Sequence, residues 1–307
     1  MRLIRGFINL KSDFIGCVVS IGNYDSVHLG HQVILNCVKK KSLELKLPTV
    51  IVTFEPQSEF FFIKKRALRL TSIREKLLLF KKHGMDNVLL LPLNRNLINF
   101  SARQFIVEIL VNKLKTRHIV IGDDFAFGYR REGNYSLLNQ EKIKYGFQVT
   151  QVPSFKIDGI RISSSLIRAA LTQGNLILAN KFLGLPYRVI GRIVHGDHRG
   201  RALGFPTANI HLKGRELPLA GVYAIRIFQL SPSSLPGIAN VGFRPTVSGQ
   251  HKLLEVHIFN FNANIYGKKI TIEFHEKIRN EQKFNSLATL QIQINQDLVK
   301  AKQILKL

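Results

Sequence analysis

From Cys17 to Leu183 one pattern repeats: a short apolar run rich in β-branched residues, a turn, then a longer segment with apolar positions at helical spacing. Cys17–Ile21, Thr49–Phe54, Val88–Leu91 and His118–Ile121 are the clearest runs, and Phe147–Val152 reads as a fifth. The first four lack the apolar–polar alternation of a half-exposed strand, so they are expected to be buried on both faces. His31–Leu45 carries helical spacing at Ile34, Leu35 and Val38. Ser72-Ile-Arg-Glu75 and Ser101-Ala-Arg-Gln104 have the capping-box pattern, the first opening a helix through Lys82 that Gly84 should stop. Ser164–Leu171 and Asn175–Leu183 also read as helical. Strand–helix units with doubly buried strands dictate a parallel sheet covered on both faces, a Rossmann-like α/β domain.

The pattern changes at Gly184-Leu-Pro186. Strand signals separated by Gly, Pro and Asn turns follow at Tyr187–Val194, Thr207–Ile210, Val222–Phe228, Gly237–Val241, Leu254–Phe259 and Lys269–Phe274. Short strands at that spacing suggest a small antiparallel barrel or sandwich. A helix from about Ser286 closes the sequence, with Leu287, Leu290, Ile294, Leu298 and Ala301 as the stripe expected to pack on the barrel. At 307 residues two cores are the default, which puts an α/β domain at 1–183 and a β domain at 184–307.

A hydrophobic fraction of 45% and a charged fraction of 21% argue against disorder. Cys17 and Cys37 have no partners at metal-ligand or disulfide-framework spacing. The first residues, MRLIRGFINLKSDF, break their apolar run with Asn9, Lys11 and Asp13. They do not form a signal-peptide core, and no later run has the length of a membrane span. The expectation is a soluble cytoplasmic protein with no membrane partner. The net charge of +25 points to anionic partners, either nucleotides or nucleic acid, but its Lys and Arg are spread along the chain without a basic tail.

Between the first strand and the first helix lies GNYDSVHLGH, Gly22 to His31. A helix N-terminus at the carboxyl end of a parallel strand favours anions. One helical turn brings His28 and His31 to the same side, and Gly30 between them allows close backbone approach. Two imidazoles so placed can stabilise charge growing on phosphates without a covalent step; the plain alternative is two helix-start histidines with no ligand. Ile162-Ser-Ser-Ser-Leu-Ile-Arg168 repeats the idea, with hydroxyls at a helix start and an arginine one turn on. Gly122-Asp-Asp124-Phe-Ala-Phe127-Gly128 follows the fourth strand. Its carboxylates and rings either meet a ligand or form an acidic turn with its phenylalanines in the core.

In this order GNYDSVHLGH, TFEP, RLTSIREKL, GDDFAFG and ISSSLIR resemble the adenylyltransferase half of the bacterial bifunctional riboflavin kinase/FMN adenylyltransferases. The second half resembles the kinase half of the same family, in His195-Gly-Asp-His-Arg199-Gly-Arg-Ala-Leu-Gly204-Phe-Pro-Thr207-Ala-Asn209. The likeness runs from Leu3 to about Ile304. It implies phosphorylation of riboflavin to FMN and adenylylation of FMN to FAD, each step using ATP with Mg2+, so that the partners are riboflavin, FMN, FAD and ATP. For the first site it implies His28 and His31 as catalytic, Gly22, Asn23, Asp25, Gly30, Ser163, Ser164 and Arg168 as ATP ligands, and Phe54, Asp124 and Phe127 as FMN ligands. For the second it implies Gly196, Arg199, Gly204, Thr207 and Asn209 around the ATP phosphates, with Thr207 and Asn209 as magnesium ligands.

A glycine-rich basic loop can wrap phosphates, and neutral Thr and Asn oxygens suit a magnesium already held by them. Glu255, in Leu254-Glu-Val-His257, falls at the family's E-x-H position and is the candidate general base. Arg279 and Glu281 fall in a segment implied to shape the riboflavin site, and Asn240-Val-Gly242 in another. Ser26, Gln57 and Asn280 depart from residues usual in the family (glycine, histidine and aspartate). Two other readings stay open: a chain that has kept only the kinase, motivated by Ser26 and Gln57, and a basic nucleic-acid-binding module on a nucleotidyltransferase scaffold, motivated by the charge.

Overall fold

A computed structural model of the chain describes residues 1–10, 14–56, 68–195, 204–246 and 249–307. It divides into two compact units: Met1–Ala67 with Ile73–Ser163, and Leu68–Ser72 with Ser164–Leu307.

The first unit is built on β1 (Arg2–Arg5), β2 (Cys17–Ile21), β3 (Thr49–Glu55), β4 (Asn87–Pro92), β5 (Thr116–Gly122) and β6 (Gln148–Val152). They form one sheet in the order β1-β4-β3-β2-β5-β6, with every pairing parallel. Alternate residues of each run supply opposite faces, which is why the sequence shows no polar face. Val19, Ile21, Val50, Val52, Leu89, Leu91, Ile119 and Ile121 enter one core. Val18, Ile51, Val88 and Val120 enter the other. The second core is covered by α1 (Leu29–Leu45) and α2 (Ile73–Lys82), through Leu35, Val38 and Phe80. Gly84 beyond α2 has φ 71°, as a stop there requires.

The other face is covered by α5 (Tyr135–Tyr145) and by the segment after α3 (Arg95–Ile98). The predicted capping box is present at α4 (Ala102–Gln104): Ser101 Oγ accepts from Gln104 N at 3.1 Å, and Gln104 Oε1 accepts from Ser101 N at 2.8 Å. Beyond it the chain is π-helical from Phe105 to Lys113. Buried residues there fall at Phe105, Ile106, Ile109, Leu110 and Leu114, a spacing of four to five that suits the wider winding. A two-stranded ribbon, β7 (Lys156–Ile157) with β8 (Ile160–Arg161), completes the unit.

The second unit opens with α6 (Ser164–Thr172) and α7 (Leu176–Leu183). These helices, placed by the sequence pattern ahead of residue 184, cluster with the barrel, where α7 packs on β14. The barrel strands are β9 (Arg188–Val194), β10 (Ala208–His211), β11 (Gly221–Phe228), β12 (Leu235–Thr246), β13 (Gly249–Ile258) and β14 (Lys269–Arg279). They close in the order β10-β13-β12-β11-β14-β9, entirely antiparallel. Leu68–Ser72 joins this unit because Arg215, only 8% exposed, donates to the carbonyls of Arg69 and Leu70, and Tyr187 Oη donates to Leu70 O at 3.2 Å. The last helix, α8 (Leu287–Leu305), lays Ala301 and Leu305 on Val222, Ala224, Ile238 and Ile278. Leu287, expected on that stripe, is 68% exposed, because the cluster takes only the C-terminal half of the helix.

The loop after β5 is shaped by glycines. Gly128 has φ +77°, and a Cβ there would lie 2.6 Å from Ala102 N. Gly128→Ala is therefore expected to destabilise the first unit by about 2–4 kcal/mol, from strain plus overpacking. Urea unfolding followed on that unit checks the value; a midpoint equal to wild type would contradict it.

Candidate active sites

The strand order reverses direction between β2 and β5, and ligands bind outside the carboxyl ends of strands at such a switch point. The two flanking loops are the ones singled out by sequence, Gly22–His28 after β2 and the GDDFAFG segment after β5. The first loop is buried although polar, with Tyr24, Asp25, Ser26, Val27 and His28 each at most 6% exposed. Its chain runs through positive φ at Tyr24 (48°), Ser26 (80°) and Val27 (47°). Ser26, where the family usually has glycine, thus occupies a conformation that favours glycine.

Side-chain hydrogen bonds hold this loop. Tyr24 Oη and Ser20 Oγ share a hydrogen bond of 2.6 Å, and Ser20 Oγ lies 2.6 Å from Val120 O. The Asn23 carbonyl accepts from Thr53 Oγ1 at 3.3 Å and from Lys76 Nζ at 2.7 Å. Gln32 Nε2 donates to Val27 O at 3.0 Å. A Cβ on Gly22 would meet the Tyr24 ring at 3.1 Å, so glycine there makes room for the tyrosine.

His28 is the N-cap of α1, its Nδ1 accepting from His31 N at 3.3 Å. With Nδ1 accepting, the neutral ring carries its proton on Nε2. The His28 and His31 rings stack 3.7 Å apart at 17°. Gly30 serves this stack, since a Cβ there would lie 3.2 Å from the His28 ring. Burial pulls the His28 imidazole down to about 4, against a smaller opposing pull from Asp25. Burial, His28 and Lys76, in that order, hold His31 well below the ordinary imidazole range. Both rings are uncharged donors and acceptors at neutral pH, packed beside a helix N-terminus.

Phe54, near the end of β3, packs on the core from its edge. Asp124 is exposed and ion-paired with Arg161 at 2.6 Å, while Asp123 binds Ser154 Oγ at 2.6 Å and Ser154 N at 2.9 Å. Arg161, just ahead of the serine triplet, was not singled out by sequence. Phe127 is 8% exposed and stacks on Phe125 with centroids 5.3 Å apart, against Phe105. Of the two sequence readings for that ring, the structure shows the core one. Ser163 ends the first unit, whereas Ser164 and Arg168 belong to α6 of the second. Gln57 lies outside the described residues.

In the barrel the strand register does the gathering. Asn209 on β10 is paired with Glu255 on β13, and Glu255 is paired with Asn240 on β12. Asn240 faces Val222 on β11, and Val222 faces Arg279 on β14. Cross-strand partners share a face, so these residues form one row. Leu254 and Val256, on the opposite face, are 1% exposed and fill the interior. The row therefore lies on the outer surface, where α8 covers its Val222 end. Asn240 was read only as part of a motif; its place beside Glu255 comes from register and not from spacing.

Thr207, two residues before Asn209, borders a cavity of about 420 Å³ whose walls include Val256, Ile258, Phe261, Ile265 and Tyr266. Tyr266 stacks on His195 with centroids 3.7 Å apart. His257 Nδ1 lies 2.9 Å from the Pro206 carbonyl, tying the strand that carries Glu255 to the segment that carries Thr207. Arg279 is committed to the fold, its Nε and Nη2 reaching the buried Asp297 carboxylate of α8 at 2.8–3.0 Å. The Glu281 carboxylate lies against Cα of Gly242, in the space a Cβ would fill. Gly204 is at the start of the described segment, with φ +83°; Gly196 and Arg199 lie outside the described residues.

An α/β unit with an anion cradle at its switch point, followed by a closed barrel with a carboxylate and amides in one outer row, defines a two-site nucleotide-handling protein. The FAD synthetase family matches residues 10–166, and the riboflavin kinase family matches residues 183–305. The bifunctional riboflavin kinase/FMN adenylyltransferase of Escherichia coli K12 is 43% identical over 99% of this chain and 97% of its own length. The protein of that description from Haemophilus influenzae is 44% identical over 98% of both chains, and that from Buchnera aphidicola (subsp. Schizaphis graminum) 42% over all of both. A crystal structure described as a macrolide-efflux protein from Streptococcus pneumoniae has the same fold, with a TM-score of 0.84 at 28% identity over 98% of this chain and 99% of that one. The chain belongs to the bifunctional riboflavin kinase/FMN adenylyltransferase family.

The depressed His28 value carries a prediction for stability. The unfolded imidazole takes up its proton near 6.5 and the folded one only near 4, so the unfolded state binds more protons between those values. Stability of the first unit should fall as pH drops from about 6.5 to about 4, by at most ~1.4 kcal/mol per pH unit from this group. His28→Asn, which keeps an N-cap side chain, should flatten that slope in urea titrations; an unchanged slope would contradict the assignment.

Proposed function

We propose that the chain makes FAD from riboflavin in two ATP-dependent steps, with residues 184–307 acting as the kinase and 1–183 as the adenylyltransferase. The reading is carried by the coexistence of both sites in one chain whose relatives are named for both activities.

In the kinase step the riboflavin 5′-hydroxyl oxygen attacks the γ-phosphorus of ATP, the bond to the β-phosphate oxygen breaks, and FMN and ADP form. Glu255 accepts the hydroxyl proton, and Asn240 beside it orients the carboxylate. The apolar walls of the cavity suit the adenine ring, with Thr207 at its border and Gly196, Arg199 and Gly204 on the phosphates. Among the described residues no group of three His, Cys, Asp or Glu is placed to hold a metal. The neutral Thr207 and Asn209 oxygens instead fit a magnesium ion whose remaining ligands are phosphate oxygens. That ion, when bound, neutralises charge on the transferring phosphoryl group. Arg279, held in place by Asp297 of α8, and Glu281, against Gly242, are the residues of that segment that meet riboflavin.

In the second step a phosphate oxygen of FMN attacks the α-phosphorus of another ATP and pyrophosphate leaves, giving FAD. The nucleophile is already ionised, so no base is needed. His28 through Nε2–H, and His31 stacked on it, donate to the developing charge. Backbone groups of Gly22, Asn23 and Gly30, with Asp25, shape the cradle. Ser163, Ser164 and Arg168 are the further ATP ligands, and Phe54 and Asp124 meet FMN. Phe127 supports the loop from the core. The kinase-only alternative rests on Ser26 and Gln57; Ser26 costs backbone strain on the order of 1 kcal/mol, while the Lys76 anchor on the neighbouring Asn23 carbonyl is in place. Cys17 and Cys37 are both free, which suits the cytoplasm. Among the described residues no helix is long and apolar enough to cross a membrane.

Glu255→Ala is expected to lower FMN formation by roughly a hundredfold or more while supplied FMN is still converted to FAD. His28→Ala should do the reverse, leaving FMN to accumulate. Flavin chromatography of the two variants decides: simultaneous loss of both activities in a folded protein would contradict separate sites.

A further inference from the structure

A lysine buried to 1% exposure is costly unless its charge is used. Lys76 lies on α2 within RLTSIREKL, in the helix that the Ser72–Glu75 capping pattern is expected to open. Its ammonium reaches the loop after β2 and donates to the Asn23 carbonyl at 2.7 Å. Asn23 opens the run of positive φ at Tyr24, Ser26 and Val27 that delivers His28 to the N-cap of α1. Thr53 Oγ1 is a second, longer donor to the same carbonyl.

We propose that Lys76 is a positioning residue of the adenylyl-transfer site, its buried ammonium holding the Asn23 carbonyl from behind so that the two stacked imidazoles are presented in register to the phosphates. The inference rests on the adenylyltransferase reading of this site. Two further observations support it. Lys76 is one of the causes that keep His31 uncharged, so the cation acts on the pair electrically as well as through the backbone. At 1% exposure its ammonium is also no direct ligand of a substrate. Its effect reaches the chemistry through the loop, and a loop displaced by a fraction of an ångström misplaces both rings together, since they are stacked 3.7 Å apart and share one cap.

The test uses the full chain with Lys76→Met, which keeps the buried methylenes and removes the donor and its charge. FAD formation from FMN and ATP is measured for kcat and for the ATP KM, with FMN formation from riboflavin as the control in the same molecule. The expected result is a kcat for FAD formation lower by roughly ten- to a hundredfold, an ATP KM within about threefold of wild type, and an unaltered kinase rate. Lys76→Arg, which restores a cation and donor, should recover part of the kcat. A Lys76→Met kcat within twofold of wild type would overturn the inference, as would a loss confined to KM. If Lys76→Met leaves the first unit unfolded, Thr53→Val decides, because it removes the other donor to the carbonyl at nearly constant volume. A kcat loss of about threefold or more then supports the anchoring role, and an unaltered kcat overturns it. A wild-type protein that makes no FAD from FMN overturns the adenylyltransferase reading and this inference with it.

Discussion

At the end of β2 the backbone must turn through Gly22–His28 and open α1 at Leu29 with a histidine as the cap. It does so with positive φ at three residues that are not glycine, each costing on the order of 1 kcal/mol. Such a loop persists only where its surroundings over-determine it. Here the determinants are the Ser20–Tyr24 hydroxyl pair, the Gln32 amide on Val27, and above all the Asn23 carbonyl, held by Thr53 and Lys76. The parallel sheet fixes these partners in turn, since Thr53 sits at the end of β3 beside β2 and Ser20 bridges to Val120 on β5. The histidine stack is thus held in place by a buried polar scaffold, and its own burial keeps both rings neutral beside a helix N-terminus.

The barrel solves a different problem. A phosphoryl-transfer site with its own base needs a carboxylate near neutral oxygens. In the proposed site three antiparallel strands supply them by pairing Asn209, Glu255 and Asn240 across one outer row. His257, two residues beyond Glu255 and hence on the same face, takes hold of Pro206 and so fixes where Thr207 emerges. The row comes from the register of rigid strands, and the cavity is walled by neighbouring residues of those strands that face the opposite way, Ala208, Val256 and Ile258, and by the Phe261–Tyr266 turn.

Much of the fold was legible because apolar periodicity is a local signal. The doubly buried runs at β2, β3, β4 and β5 were each placed within two residues of their ends. β1 escaped notice because Arg-Leu-Ile-Arg is short and charged at both ends, and only its parallel pairing with β4 makes it a strand. The sites were legible as motifs but not as arrangements. His28 and His31 showed their spacing, while the stacking of their rings and the room that Gly30 leaves for the His28 ring emerge only in the folded loop. Phe127 could not be assigned from sequence, since its burial depends on Phe105 and Gly133, which approach from other segments. Lys76 was invisible because its partner lies 53 residues away. Arg279 was read as a ligand, and its buried partner Asp297 lies on a helix known to pack there only once the barrel is closed.

The central claim is that one chain carries two ATP sites of different chemistry, used in sequence. The most direct measurement is a time course of the protein with riboflavin, ATP and magnesium, with flavins separated by chromatography and ADP and pyrophosphate counted. The account predicts that FMN rises and then falls as FAD accumulates, with one ADP and one pyrophosphate released per FAD. Riboflavin left unchanged, or FMN accumulating with no pyrophosphate, would contradict it.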